Sequence, residues 1–366
     1  MVTLASLPVA KALALKKHLD EEHISTLLED VVLPENTSAL SVRIKVPANE
    51  LGLALPVLDQ FLRKGIGEGE SDPEVNRQVF VPVDFSDHSM KAAIIGFELA
   101  GRMKARLVLF HSYPGFTAYT APFSEVYAID PELMAHLEDD EKSARNSMES
   151  FMKELVNHFP KESWSTVDTE FILKAGDPRD DIQTYAEFGN VTLIVMGTQG
   201  KAKKEFEIIG SVAATVITST RVPVLAVPAD TSIPGNADFK RILYATNFHE
   251  KDFVALDKLM QVAGPGFAEV FCLHVSPGEK ADPWNTAKLI GMKEVLKAKY
   301  PEKTFDCRLI PGEDFLDGLE QFVAANDIDL VAFTTFKRNL IARFTNPSKT
   351  KKALMQLRIP IYVFHA

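Results

Sequence analysis

The stretch VMGTQGKAKKEFEIIGSVAATVI, Val195–Ile217, joins the end of an apolar run to the start of a helical pattern. Gly197, Gly200 and Gly210 fall at the spacing G-x2-G-x9-G, with Ser211 directly after the third glycine. Neither the dinucleotide fingerprint G-x-G-x-x-G nor the P-loop G-x-x-x-x-G-K-[ST] has that spacing. A buried strand, a glycine-rich turn and a helix form half of a βαβ unit. The stretch therefore predicts a parallel sheet with helices on its faces and a strand ending near Gly197.

Working outward, the pattern occurs twice. RQVFVPVDFSDHSMKAA (Arg77–Ala93) is echoed by KRILYATNFHEKDFVAL (Lys240–Leu256), and ARLVLFHSYPG (Ala105–Gly115) by AEVFCLHVSPG (Ala268–Gly278). TLIVMGTQGK, from Thr192, is echoed by DLVAFTTFKR, from Asp329, and TRVPVLAVP, from Thr220, by LRIPIYVFH, from Leu357. The offset is 163 residues for the first two pairs and 137 for the last two, so the first copy carries an insertion within residues 116–159. The start of the insertion reads as loop. From Pro131, the spacing of Leu133, Met134, Leu137, Met148, Phe151, Met152 and Leu155 predicts helix. The insertion is either a surface pad or a cover for a neighbouring pocket. Apolar runs at Val79–Val83, Leu107–Phe110, Glu170–Leu173, Leu193–Met196 and Val224–Val227 predict five strands in the first copy. Pro82 cannot donate to a central ladder, so its strand should end there, with its tip turned toward a site.

Four regions follow: a small βαββα domain over 1–65, a glycine-rich charged linker over 66–77, a first repeat over 78–230 and a second over 239–366. The first region resembles small signal-transducing α/β domains of bacteria. The net charge of −10 argues against general nucleic-acid or anionic-membrane binding. Lys11, Lys16 and Lys17 interrupt the N-terminal apolar stretch, and no run reaches the ~18 apolar residues of a membrane helix. The expected location is cytoplasmic. Cys272 and Cys307, at no metal-like spacing, read as reduced core residues.

Ligands of doubly wound sheets sit beyond the carboxyl ends of strands, where the winding reverses. If the first and fourth strands flank that point, Asp84 and Gly197 face one another. Gly197 and Gly200 would let backbone approach a ligand, with positive φ available. Gly210–Ser211 would offer a helix N-terminus to an anion. Lys201, Lys203 and Lys204 add positive charge. A nucleotide fits, with Asp84 accepting from a ribose hydroxyl or an adenine amine.

On the motif G-x2-G-x9-G-[ST], met by Gly197, Gly200, Gly210 and Ser211, residues 77–366 resemble a tandem universal stress protein. The resemblance implies two five-stranded parallel sheets in 3-2-1-4-5 order and, in the motif-bearing copy, ATP or another adenine nucleotide (ADP, AMP), with Mg²⁺ on its phosphates. Carried over, it implies Pro82, Val83 and Asp84 on the adenine and ribose side, and Ser112 facing adenine through its backbone. Met196 and Gly197 would touch the nucleoside, and Gly200, Gly210, Ser211 and Val212 would hold phosphates. Ala213 stands where many nucleotide-binding relatives have a hydroxyl. The second copy has Asn247, Thr334, Lys337 and Pro347 opposite Asp84, Gly197, Gly200 and Gly210, keeps only Ser348 opposite Ser211, and should bind no nucleotide. It reads as a structural partner, joined through the last strands of the two copies.

No catalytic constellation is present. The leading expectation is a nucleotide-binding stress-response or signalling regulator with an unknown protein partner, possible homo-oligomerisation, and neither nucleic acid nor membrane as target. A slow ATPase or phosphotransferase and a nucleotide-free scaffold are the alternatives. Asp84 also reads as a helix N-cap or turn residue, His111 and His274 as structural, and His88 and His249 as exposed loop residues.

Overall fold

A computed structural model of the 366-residue chain describes residues 2–7, 15–20, 22, 24–30, 42–47, 50, 53–54, 57, 77–114, 131–200, 209–228, 231, 237–246, 248, 251–264, 266–276, 283–311, 315–335 and 359–365. The chain divides into Met1–Pro73 and Glu74–Ala366. The first unit holds β1 (Val2–Leu7), β2 (Leu27–Asp30) and β3 (Val42–Val46) as an antiparallel sheet in the order β1-β3-β2. Residues 15–20 are helical, and Leu15 and Leu19 bury against Ile44 and Val46. The expected strand, helix and two strands are therefore found. Of the expected second helix only residues 53–54 and 57 are described, and they are helical.

The second unit runs β4 (Gln78–Pro82), α1 (Asp87–Met103), β5 (Arg106–Tyr113), α2 (Pro131–Asn157), α3 (Lys161–Trp164), β6 (Thr169–Ala175), α4 (Pro178–Phe188), β7 (Val191–Gly197), α5 (Ser211–Ser219) and β8 (Val224–Val227). It continues with β9 (Arg241–Ala245), α6 (Lys251–Ala263), β10 (Glu269–Ser276), α7 (Pro283–Lys299), β11 (Thr304–Pro311), α8 (Phe315–Ala325), β12 (Leu330–Thr335) and β13 (Ile361–His365). One ten-stranded sheet results, in the order β11-β10-β9-β12-β13-β8-β7-β4-β5-β6. Each half is parallel and wound 3-2-1-4-5. The halves meet where β13 pairs antiparallel with β8, Tyr362 opposite Leu225. That pairing removes the free edge each half would otherwise expose.

The strands are apolar on both sides because both faces are covered. Val79, Val81, Leu107, Leu109, Leu193, Leu225, Tyr244 and Tyr362 share one core with residues of α1, α2, α6 and α7. Phe80, Val108, Phe110, Ile194, Met196, Leu243 and Val363 share the other with residues of α4, α5 and α8. Fully burying one such leucine contributes about 2 kcal/mol. The insertion turns helical at Pro131 as its spacing predicts, and Met148, Phe151 and Leu155 bury in the first core. Residues 115–130 lie outside the described residues.

Local chemistry starts α1 sharply. Ser86 and Ser89 form a reciprocal capping box, and α1 ends on Lys104 in the left-handed conformation. Near that end the Arg102 guanidinium crosses to the second half. It donates to the carbonyls of Val262, at the end of α6, and Ala237 (3.1 Å to the latter).

Candidate functional site

β4 ends at Pro82 beside β5 and β7, as its proline predicts. The Val83 N–H donates to Phe110 O at 2.8 Å. Ladder N–H groups alternate in direction, so position 82 faces β7, and the pairing of β4 with β7 stops at Phe80. The proline costs no ladder bond there. Val83 is buried, and its carbonyl accepts a hydrogen bond from His111 Nδ1 at 2.8 Å, which fixes the proton on Nδ1. The chain then turns through Phe85, whose φ of 61° is costly for an aromatic residue. The Phe85 ring packs on His111 at 4.3 Å.

The second half repeats this device. Phe248 has φ 59° and packs on His274 at 4.3 Å, and His274 Nδ1 donates to Thr246 O at 2.8 Å. His111 and His274 are therefore braces that hold the turn after the first strand of each repeat.

The turn aims Asp84 into the mouth between β4 and β7. Asp84 Oδ1 accepts from the Ser86 N–H (3.2 Å) and hydroxyl (2.5 Å), so Asp84 is the turn residue and Ser86 the N-cap. Its other oxygen lies against Gly200, where a Cβ would collide with Oδ2. Gly197 instead abuts His88, with a Cβ there 2.9 Å from His88 Cβ and 3.1 Å from its carbonyl carbon. Two expectations are corrected. Asp84 abuts Gly200 rather than Gly197, and none of Gly197, Gly200 and Gly210 has positive φ. What Gly197 and Gly200 supply is the missing Cβ. His88, expected in an exposed loop, is buried in the first turn of α1 because Gly197 leaves room for it. His249 lies outside the described residues.

Gly210 is the N-cap of α5, and among the described residues no side chain caps that helix. Its N–H donates to Thr198 O at 2.7 Å, and the Thr198 N–H donates to Val227 O at 3.0 Å, which ties the helix start to the end of β7. Ser211 is exposed at the first helical position, and Val212 is half-buried against the second core, which also holds Met196 and Ala213. The positive end of the α5 dipole thus opens onto the same strand ends as Asp84. Lys201, Lys203 and Lys204 lie outside the described residues.

Ser112, at the end of β5, belongs to a cluster that the sequence reading missed. Its hydroxyl donates to Asp181 Oδ2 at 3.0 Å, and Lys174 Nζ pairs with Asp181 Oδ1 at 2.8 Å. Asp181, only 7% exposed, sits where a Cβ at Gly176 would collide with it. The available signal was AGDPRDDI, residues 175–182, a helix start rich in acidic residues after a strand.

In the second half the position opposite Gly197 carries a bonded side chain. Thr334, opposite Gly197 in the repeat, pairs with the Tyr244 hydroxyl at 2.6 Å; that hydroxyl donates to Asp252 Oδ1 at 2.9 Å. The Thr246 hydroxyl donates to Asp252 Oδ2 at 2.6 Å. All four residues are at most 3% exposed. Burial, and then the Asp252 charge, push the Tyr244 phenol well above its ordinary range, so it stays a neutral donor. Asn247, Lys337, Pro347 and Ser348 lie outside the described residues.

A tandem, doubly wound α/β protein with a glycine-lined mouth in its first half is the class that fold and site define. Residues 76–228 match the universal stress protein family. It is 29% identical to universal stress protein MJ0531 of Methanocaldococcus jannaschii over 178 residues, 48% of this chain and 92% of that protein. It is 26% identical over 150 residues to universal stress protein YxiE of Bacillus subtilis, covering 41% of this chain and 97% of that protein. A crystal structure of a universal stress protein from Archaeoglobus fulgidus aligns with a TM-score of 0.55 at 18% identity, over 80% of this chain and 97% of that one. That likeness shows the fold.

Proposed function

We propose that the first repeat binds ATP, or another adenine nucleotide, and that the chain works as a nucleotide-dependent regulator with its second repeat as a built-in structural partner. One observation carries this reading. At the strand ends where ligands of this sheet type sit, the first half brings together Asp84, Gly200 and the start of α5, whereas the second half carries Thr334, bonded to Tyr244, opposite Gly197. Asp84 accepts from the ribose. The first-turn N–H groups of α5, with Ser211, hold phosphate oxygens, and Gly200 keeps the approach free of a side chain. Pro82, Val83, Ser112, Met196, Gly197 and Val212 complete the walls. Mg²⁺ rides on the phosphates and their waters, which suits its preference for few protein ligands.

The test is Mg-ATP affinity of the nucleotide-stripped protein and of its Gly200→Val and Asp84→Ala variants. Each variant should weaken binding at least about tenfold, or ~1.4 kcal/mol, with circular dichroism unchanged. Wild-type affinity in both variants refutes the site.

A further inference from the structure

Cys272 and Cys307 are far apart in the sequence, yet β10 and β11 are neighbouring parallel strands whose register places the two directly opposite. Such strands stand about 4.8 Å apart, inside the Cα range that a disulfide spans. In-register residues point to the same face, and both thiols are free and lie on the core side beneath α7. Cys272 is fully buried and Cys307 half-buried. The Cys272 S–H donates to Cys307, and Lys293 and Lys297 of α7 add positive charge near Cys307. Together they draw the Cys307 thiol below its ordinary range, against burial and the Asp306 carboxylate. The bond it donates, and burial, push Cys272 up. In the first repeat the matching register pair is Leu109 and Phe171, so the fold itself does not require cysteines there.

We propose that Cys307 and Cys272 are a peroxide-responsive pair, Cys307 the attacking thiol and Cys272 the resolving one. The Cys307 thiolate attacks a hydroperoxide oxygen; the S–O bond forms as the O–O bond breaks, and hydroxide or alkoxide leaves. The Cys272 sulfur then attacks the Cys307 sulfenic sulfur. The S–S bond forms, and the sulfenic oxygen departs as water with the Cys272 proton. The peroxide gains two electrons and the thiol pair loses two. The chemistry is independent of nucleotide.

The test treats the reduced full-length protein with hydrogen peroxide, then alkylates free thiols and maps peptides by mass spectrometry. The two thiols should vanish together, a Cys272–Cys307 linked peptide should appear, and dithiothreitol should reverse it. In Cys272→Ser, a sulfenic acid on Cys307 should be trapped by dimedone. In Cys307→Ser, Cys272 should oxidise at least about tenfold more slowly. Independent loss of the two thiols in the wild-type protein, Cys307 carried to sulfonic acid while Cys272 stays free, or both thiols surviving peroxide that oxidises glutathione would each overturn the proposal. Because the wild-type mapping decides it, the outcome does not depend on either variant folding.

Discussion

Replacing Gly197 by Ala separates the structural use of the motif glycines from their use in binding. Gly197 ends β7 with φ outside the positive range, so alanine brings no backbone strain there. The new methyl meets His88 at 2.9 Å from Cβ, 3.1 Å from the carbonyl carbon and 3.2 Å from its oxygen, all tighter than ordinary contact. Two of those atoms are backbone, in the first turn of a helix pinned by the Ser86–Ser89 box, so α1 itself has to retreat. Overpacking of this kind costs about 1–3 kcal/mol. At Gly200 the added methyl meets chiefly the tip of one side chain, Asp84 Oδ2, which can swing away. Gly200→Ala should therefore cost under ~1 kcal/mol in stability while displacing the carboxylate proposed to hold the ribose. Urea unfolding of both variants measures this as a lower midpoint at unchanged slope. Gly197→Ala within ~0.5 kcal/mol of wild type, or Gly200→Ala the more damaging of the two, would refute the assignment.

Other outcomes follow from the same geometry. Tyr244→Phe removes the hydroxyl linking Asp252 and Thr334 and should cost about 1–3 kcal/mol by denaturant unfolding, with nucleotide affinity untouched. Arg102→Ala removes the guanidinium that reaches the Val262 and Ala237 carbonyls, so it should cost about 2–3 kcal/mol and speed amide exchange at the end of α6. Asp177 caps α4, and its bonds from the Arg179 side chain and N–H lower its carboxyl from 3.8 to about 2. A carboxyl depressed on folding stabilises fully above its unfolded pKa and loses that contribution as pH falls through the folded one. The stability gap between wild type and Asp177→Asn should thus be constant above about pH 4 and close toward about pH 2.

Much of the architecture was legible because the repeat constrains it. The apolar runs marked all five strands of the first copy, and the echo of TRVPVLAVP in LRIPIYVFH marked the strands that pair across the halves. Pro82 marked a strand end because its missing N–H is a local fact. The site was legible in composition but not in contacts. Gly197 and Gly200 stand three positions apart, yet one packs on His88 and the other on Asp84, a difference set by how α1 docks on the sheet. His88 looked exposed because DFSDHS is polar, and only tertiary packing buries it. Asp181 reaches Ser112 from α4 onto β5, and Cys307 lies opposite Cys272 on the neighbouring strand; spacing along a chain carries no signal for such pairings between distant elements.

The most direct test of the account is a calorimetric titration of the nucleotide-stripped protein with Mg-ATP. The account predicts one site per chain, supplied by the first repeat, because the second repeat has Asn247, Thr334, Lys337 and Pro347 where the first has Asp84, Gly197, Gly200 and Gly210. Two sites would contradict the reading of the second repeat as unable to bind nucleotide, and no heat or thermal stabilisation at about millimolar ATP would contradict nucleotide binding itself.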